Sequence, residues 1–158
     1  MKFKEADRKN LDPETTKAIE KANKEDKGLF IYGNTGTGKS YTLHAIAKDK
    51  GFVHNFIELL LEFRNSLNKG YYKDNVEALC EKKFLFIDDI GSETTSDYVL
   101  EFLYLVINKR YESMKRIALT TNLSLEEFEQ RYGARILSRI AEMCIVHEIK
   151  GEDKRLSN

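Results

Sequence analysis

The chain has 158 residues, the size of one domain with room for a substantial hydrophobic core. Lysine and arginine together number 26, as do aspartate and glutamate, so the formal net charge is zero and no overall basic excess draws the chain to nucleic acid. No apolar run approaches the length of a membrane-spanning helix and the charged start of the chain lacks the apolar centre of a signal peptide, so we expect no membrane contact and a cytoplasmic location.

Apolar runs alternate with helical patterns along the whole chain. Strands are predicted at residues 29–32, 84–87, 117–121 and 144–149, with a weaker one at 52–57. Helices are predicted at residues 41–50, 59–67, 74–82, 99–113, 125–131 and 135–143. This alternation predicts an α/β fold with three α/β/α layers around a five-stranded, mostly parallel sheet. Cys80 and Cys144 fall in no metal or redox spacing and are expected to be buried thiols.

A complete phosphate-binding loop, of the form G-x-x-x-x-G-K-[ST], follows the first predicted strand and precedes a helix. Its glycines let backbone N–H groups turn toward phosphate oxygens, Lys39 can reach the β and γ phosphates, and the Ser40 hydroxyl can bind Mg²⁺. The strand–loop–helix context argues against a chance glycine-rich turn. The predicted nucleotide-binding residues are Gly33, Asn34, Thr35, Gly36, Thr37, Gly38, Lys39, Ser40 and Tyr41.

A pair of acids, Asp88 and Asp89, follows the apolar run 84–87. A nucleotide site needs a metal-binding carboxylate opposite the phosphate loop, and Asp88 can hold Mg²⁺ directly or through water. Asp89 can orient the attacking water or accept its proton. A strand that merely ends at an acidic turn is the alternative, which the phosphate loop in the same chain disfavours.

Asn122 ends another predicted strand and can hydrogen-bond the attacking water or the γ-phosphate. Its alternative role is to cap the following helix. Ser124 and Glu127 already form the pattern of a capping box, which leaves Asn122 available for the site.

Arg135 and Arg139 lie four residues apart and share one face of a predicted helix. Glu142 is the one acid three or four residues from either of them. Two arginines without acidic partners suit an anion, such as the γ-phosphate on a neighbouring subunit. Spacing alone favours the alternative, a solvated basic face.

Together these residues resemble the AAA+ ATPases, and within them the DnaC-type helicase loaders and their IstB-like relatives. The resemblance runs from about residue 25 to the end and is carried by the segments 28–40, 84–93, 108–111, 119–123, 132–140 and 151–155. It implies that Lys39 and Ser40 belong to Walker A, and Asp88 and Asp89 to Walker B. It further implies that Asn122 is sensor 1 and that Arg139, with Arg135 as its companion, is an arginine finger. Arg110 and Arg155 also match family positions.

The resemblance implies a single AAA+ ATPase domain over residues 1–158, without the helical lid of larger members. Within it we expect an N-terminal extension (1–25), a nucleotide-binding core (26–150) and a C-terminal tail (151–158). Family members usually carry an N-terminal domain that docks on the replicative helicase, and about 25 residues are too few for it. We therefore expect either the ATPase domain of a longer bacterial protein or a naturally short phage or mobile-element form.

The function predicted from this resemblance is slow, assembly-dependent ATP hydrolysis in DNA replication, with ATP or ADP and Mg²⁺ bound between self-associating subunits. A DnaB-type replicative helicase is the implied partner. An IstB-type transposition helper and a nucleotide-switched adaptor or inhibitor of a helicase or loader are the alternatives. A small-molecule kinase is disfavoured, because no arginine-rich lid is evident.

Basic and aromatic residues alternate within residues 59–73, a mixture that suits binding of single-stranded DNA. The candidate contacts are Phe63, Arg64, Lys69, Tyr71 and Tyr72. The alternative is an ordinary helix with Leu59, Leu60, Phe63 and Leu67 in the core and the charged side chains in water. We hypothesise weak binding that requires oligomerisation.

Overall fold

A parallel β-sheet forms the centre of the computed structural model, which describes residues 3–156. Its strands are β1 (Gly28–Tyr32), β2 (Val53–Asn55), β3 (Phe84–Ile90), β4 (Arg116–Thr121) and β5 (Cys144–Glu148). They lie in the order β2-β3-β4-β1-β5, and each neighbouring pair is parallel. The predicted five-stranded α/β fold is thus confirmed.

Helices cover both faces of the sheet. They are α1 (Pro13–Lys24), α2 (Lys39–Ala47), α3 (Phe56–Lys69), α4 (Tyr72–Glu81), α5 (Asp97–Glu112), α6 (Leu125–Tyr132) and α7 (Ala134–Met143), with a short 3-10 turn at Arg8–Asn10. Alternate strand residues point to opposite faces, so Phe30 joins the core under α3 to α7, whereas Leu29 and Ile31 join the core under α1 and α2. Over residues 3–156, none of the helices has the length and apolar character needed to cross a bilayer.

The edge strand β2 is shorter than the sequence predicts. Residues 52–57 were expected to be extended, but Phe56 and Ile57 already belong to α3. The cause is Asn55, whose side-chain oxygen accepts hydrogen bonds from the backbone N–H groups of Ile57 and Glu58 and thereby starts the helix. Phe52 lies before the strand, with 62% of its surface exposed.

The helix α1 was not predicted, although its start carries clear signals. The Asp12 carboxylate accepts a hydrogen bond from the Thr15 N–H at 2.9 Å, and Pro13 occupies the first helical turn. Ile19 and Ala22 are buried against the sheet. Part of the segment expected to be an extension is therefore built into the core layer, whereas the predicted domain boundaries stay a prediction.

Candidate functional site

The phosphate loop lies at the carboxyl end of β1 and leads directly into α2. Gly38 occupies the N-cap position of α2 in a left-handed conformation, and no side chain caps the helix. The first N–H groups of α2 therefore remain available to an anion at the helix N-terminus. Within the loop, the buried Thr37 hydroxyl donates to the Asn34 carbonyl at 2.9 Å, which fixes the turn.

Two positions of the phosphate loop must be glycine, because the segment after β5 packs directly against them. Gly36 has φ +78°, and a Cβ there would lie 1.8 Å from a carboxylate oxygen of Asp153. Gly33 has φ +146°, and a Cβ there would lie 2.3 Å from the Ile149 carbonyl oxygen. The Lys154 N–H also donates to the Gly36 carbonyl at 3.1 Å. The segment after β5 therefore forms one wall of the loop.

Lys39 lies in the first turn of α2 with only 6% of its surface exposed. Its Nζ donates to the Asn34 carbonyl oxygen at 2.5 Å, which holds the amine beside the loop. Burial lowers the pKa of Lys39, and the nearby carboxylates of Asp89 and Asp88 oppose that shift.

A β-bulge carries the two acids of β3. The register with β4 pairs Ile87 with Leu119 but Ile90 with Thr121, so β3 contains one extra residue at this point. Asp89 has φ +65°, a left-handed conformation that non-glycine residues seldom adopt. The bulge lets Asp88 and Asp89 both face the carboxyl edge of the sheet. The sequence predicted instead that the strand ends at Ile87, directly before the two acids.

The side chain that holds this bulge is Thr120, which the sequence analysis did not single out. Its Oγ1 accepts a hydrogen bond from the Asp89 N–H at 2.8 Å and donates to Asp88 Oδ1 at 2.5 Å. The Ser40 hydroxyl donates to the same Asp88 oxygen at 3.0 Å. Ser40 and Asp88 thus come together as predicted, and Thr120 fixes the carboxylate between them.

The oxygens of Ser40 and Asp88 suit a hard cation such as Mg²⁺. Across residues 3–156 there is no cluster of three or more His, Cys, Asp or Glu residues able to hold a metal. Two protein oxygens fit Mg²⁺ in a nucleotide site, because this ion keeps several waters and takes its remaining ligands from phosphates.

Asn122 lies beside the second acid, since its Nδ2 donates to Asp89 Oδ1 at 3.2 Å. The predicted capping box is also confirmed, with the Ser124 hydroxyl bonded to the Glu127 N–H and the Glu127 carboxylate bonded to the Ser124 N–H. Asn122 therefore has no capping duty and points toward the acids.

These residues line one cavity of about 710 Å³, large enough for a nucleotide. Its walls combine the phosphate loop, the acids, Thr120, Asn122, the tail residues Lys154 and Arg155, and an unexpected group from the start of the chain: Phe3, Asn10, Leu11 and Asp12. The Tyr41 hydroxyl ties that group to α2, because it accepts hydrogen bonds from the Asp7 N–H at 3.2 Å and Asn10 Nδ2 at 3.1 Å. Of the family positions noted above, Arg155 thus lies at the cavity.

Glu93 anchors the loop that follows β3. Its carboxylate, whose side chain is 5% exposed, accepts from the Tyr132 hydroxyl, receives the Gly91 N–H at 2.9 Å and pairs with Arg131 at 3.5 Å. Burial first, and then the Glu93 carboxylate, raise the pKa of Tyr132. These contacts connect the loop beside the acids to the end of α6, immediately before α7.

Arg135 and Arg139 share one face of α7, as predicted, and both guanidinium groups lie over the ring of Tyr104, at 5.6 and 5.5 Å. Arg135 is exposed and Arg139 half-buried. Neither lines the nucleotide cavity of its own chain among the described residues. Arg110, the other family position, is fully buried and donates to the carbonyls of Cys80, Lys82, Lys83 and Arg116, so its role is structural.

One candidate DNA contact is wrong. Phe63 is only 2% exposed and packs against Phe102 and Tyr72, because it occupies the buried stripe of α3, so it cannot stack on a base. Tyr72 is half-buried by the same contact. Arg64, Lys69 and Tyr71 are exposed.

Comparison with known proteins identifies relatives over most of the chain. The model of the family described as IstB-like ATP binding protein matches residues 4–158. The replicative helicase loader DnaI of Bacillus subtilis (strain 168) is 25% identical over 148 residues, covering 82% of this chain and 48% of that protein. The insertion sequence IS5376 putative ATP-binding protein of Geobacillus stearothermophilus is 26% identical over 141 residues, covering 82% and 56%. The chain therefore spans about half the length of these curated relatives.

A solved structure agrees with the fold. The crystal structure of the DnaC helicase loader matches with a TM-score of 0.70 at 29% identity, over 90% of this chain and 83% of that one. The family model and the DnaC structure both confirm the resemblance noted in the sequence. Because the family model covers nearly the whole chain, the protein belongs to the IstB-like ATP-binding proteins, with the P-loop fold of the AAA+ class.

Proposed function

We propose that the protein binds ATP with Mg²⁺ and hydrolyses it slowly, in an assembly whose subunits complete one another's sites. The observation that carries this proposal is the hydrogen bond from Ser40 to Asp88, which joins the phosphate loop to the acid on β3. The pairing of Asn122 with Asp89 directly beside it supplies the groups that hydrolysis needs, beyond those for binding.

Each residue then has a definite task. The loop N–H groups and Lys39 hold the β and γ phosphates, and Ser40 with Asp88 would hold Mg²⁺. When bound, this ion would neutralise charge on the phosphate oxygens. Asp89 accepts the proton of the attacking water, which Asn122 helps to orient.

The walls of the cavity also suggest where the base lies. Phe3 and Leu11 provide apolar surface at the cavity wall, and the Tyr41–Asn10 hydrogen bond fixes that wall against α2. A purine base placed there leaves its triphosphate pointing at the loop. The assignment accounts for the contribution of residues 3–12 to the cavity.

Arg139, assisted by Arg135, is proposed to act on the nucleotide of a neighbouring subunit. The two arginines lie on one helix face, Arg135 exposed and Arg139 half-buried, and among the described residues neither lines the cavity of its own chain, so both are placed for an anion supplied from outside the subunit. Such a residue stabilises the charge of the transition state.

Nucleotide binding and turnover test these roles. Lys39→Ala should abolish binding of a fluorescent ATP analogue, whereas Lys17→Ala, at an exposed position of α1, should leave binding unchanged. Arg139→Ala should preserve binding and lower hydrolysis at protein concentrations where subunits associate. Equal hydrolysis by Arg139→Ala and the parent would remove the role in trans.

Within the cell we propose a role in loading a replicative helicase. The DnaI and DnaC relatives are helicase loaders, and the chain matches DnaC over most of its length. Weak binding of single-stranded DNA fits this role, with Arg64, Lys69 and Tyr71 as exposed contacts and Tyr72 beside them. Arg64→Ala and Tyr71→Ala should weaken ATP-dependent binding of an oligonucleotide at low salt. Undetectable binding by the parent would exclude the DNA contact.

A second candidate is a helper ATPase of a mobile element. It is favoured by the insertion-sequence relative, which covers as much of this chain as DnaI does. Co-purification of the full chain with a DnaB-type helicase or with a transposase separates the two roles. A nucleotide-switched adaptor remains distinct from both, since its turnover would stay negligible with and without single-stranded DNA.

A further inference from the structure

The guanidinium group of Arg139 lies between two tyrosine rings. Its centre is 5.5 Å from the ring of Tyr104 on α5 and 5.5 Å from the ring of Tyr111 near the end of the same helix. Arg139 forms no ion pair within residues 3–156, and its buried Nη1 has no hydrogen-bond partner there. The arginine is thus fixed by aromatic faces while its charge stays unpaired.

One carboxylate, that of Glu142, is close enough in sequence to form an ion pair with Arg139. Glu142 lies three residues after Arg139 on α7, a spacing at which glutamate and arginine readily pair on a helix surface. In the structure Glu142 instead accepts a hydrogen bond from the Tyr111 hydroxyl at 2.6 Å. That bond, with the charge of Glu142, raises the pKa of Tyr111, which keeps the hydroxyl a donor.

Tyr111 therefore contacts two side chains of opposite charge. Its ring face contacts the cation, and its hydroxyl binds the acid that would otherwise pair with that cation. We propose that Tyr111 is a positioning residue that keeps Arg139 available for the nucleotide of a neighbouring subunit by holding Glu142 away from it. This inference rests on the proposed role of Arg139 in trans.

The size of the effect follows from what Glu142 would do once released. An Arg139–Glu142 ion pair on the helix surface must break before the guanidinium reaches a phosphate. Exposed pairs of this kind shift an equilibrium about two- to fivefold. We expect a fall of that size in assembly-dependent turnover when the Tyr111 hydroxyl is removed.

The experiment uses Tyr111→Phe, which deletes the hydroxyl and keeps the ring beside Arg139. ATP hydrolysis of the full chain is measured across protein concentrations, with ATP affinity and the association constant determined for each variant. Tyr111→Phe should lower kcat about two- to fivefold and leave ATP affinity unchanged. Glu142→Gln alone should match the parent, and Tyr111→Phe combined with Glu142→Gln should return kcat to the parent value.

The double variant separates positioning from packing, because neutralising Glu142 cannot restore a packing defect. The inference is overturned if Tyr111→Phe turns over as fast as the parent, or if the double variant stays as slow as Tyr111→Phe. Arg139→Ala distinguishes the two levels of failure. If it hydrolyses ATP like the parent, the role in trans falls and the inference with it; if it is slow while Tyr111→Phe is normal, the inference alone falls.

Discussion

Replacing Thr120 with valine removes one hydroxyl from the site and leaves the side-chain volume almost unchanged. Thr120 is 1% exposed, and its Oγ1 contacts both the Asp89 N–H and the Asp88 carboxylate. The substitution therefore leaves a backbone donor of the bulge without its partner and deprives Asp88 of a hydrogen bond. We expect it to destabilise the fold and to weaken binding of the Mg²⁺–nucleotide complex.

The magnitude follows from these two contacts. An unsatisfied N–H of this kind costs about 1 to 3 kcal/mol, and loss of a hydrogen bond to a charged group costs about 1.5 to 3 kcal/mol. The methyl group of valine recovers about 0.8 kcal/mol through burial. The unfolding free energy should fall by about 2 to 5 kcal/mol, a large part of the roughly 5 to 15 kcal/mol that stabilises a domain.

Urea denaturation followed by circular dichroism measures the loss of fold stability. Titration with a fluorescent ATP analogue, with and without Mg²⁺, measures the change in Mg²⁺-dependent nucleotide affinity. Thr120→Ser retains the hydroxyl and should keep most of the Mg²⁺-dependent affinity. Thr95→Val, at an exposed position, is the matched control for the threonine-to-valine change. A loss below about 1 kcal/mol, together with unchanged Mg²⁺-dependent affinity, would refute the reasoning that Thr120 holds the bulge.

Three further substitutions test other contacts. Gly36→Ala should lower ATP affinity at least tenfold, because φ +78° disfavours alanine and its Cβ meets Asp153; adding Asp153→Ala should recover only the part due to that contact. Arg110→Met should lower the unfolding free energy in urea by about 3 to 5 kcal/mol, since it leaves buried carbonyls unpaired, whereas exposed Lys109→Met should be neutral. Burial raises the pKa of Cys144 to about 12, so above its unfolded pKa the unfolded thiol ionises first and stability falls as pH rises. Between pH 8 and 10, the unfolding free energy of Cys144→Ala should therefore fall by about 1 to 2 kcal/mol less than that of the parent. An equal fall in the two proteins would contradict this.

Much of the site could be predicted because its chemistry is local in sequence. The phosphate loop is one continuous motif, and the acids and Asn122 each follow an apolar strand. Parallel strands bring such ends to one edge, so the meeting of Ser40 with Asp88 followed from topology alone. The capping box of α6 was predictable for the same reason, since Ser124 and Glu127 are three residues apart.

The rest depends on contacts between distant segments. Thr120 looks like any threonine in a strand until the bulge places its hydroxyl between two acids. The wall formed by residues 3–12 and the approach of Asp153 to Gly36 join the two ends of the chain to the loop, which no local pattern encodes. Phe63 shows the opposite error, because the basic and aromatic composition of residues 59–73 suggested a DNA contact, whereas the helical spacing of Leu59, Leu60 and Phe63 already indicated the buried face.

The strand order has a consequence for how the chain acquires its fold. The first strand to be synthesised is β1, yet both of its partners, β4 and β5, come from the second half of the chain. During translation β1 must stay unpaired while most of the protein emerges, so the backbone N–H and C=O groups along both of its edges lack a partner strand. Such non-local pairing slows folding and exposes the nascent chain to aggregation. Removing residues 144–148 would therefore turn β1, the strand that leads into the phosphate loop, into an edge strand of the sheet.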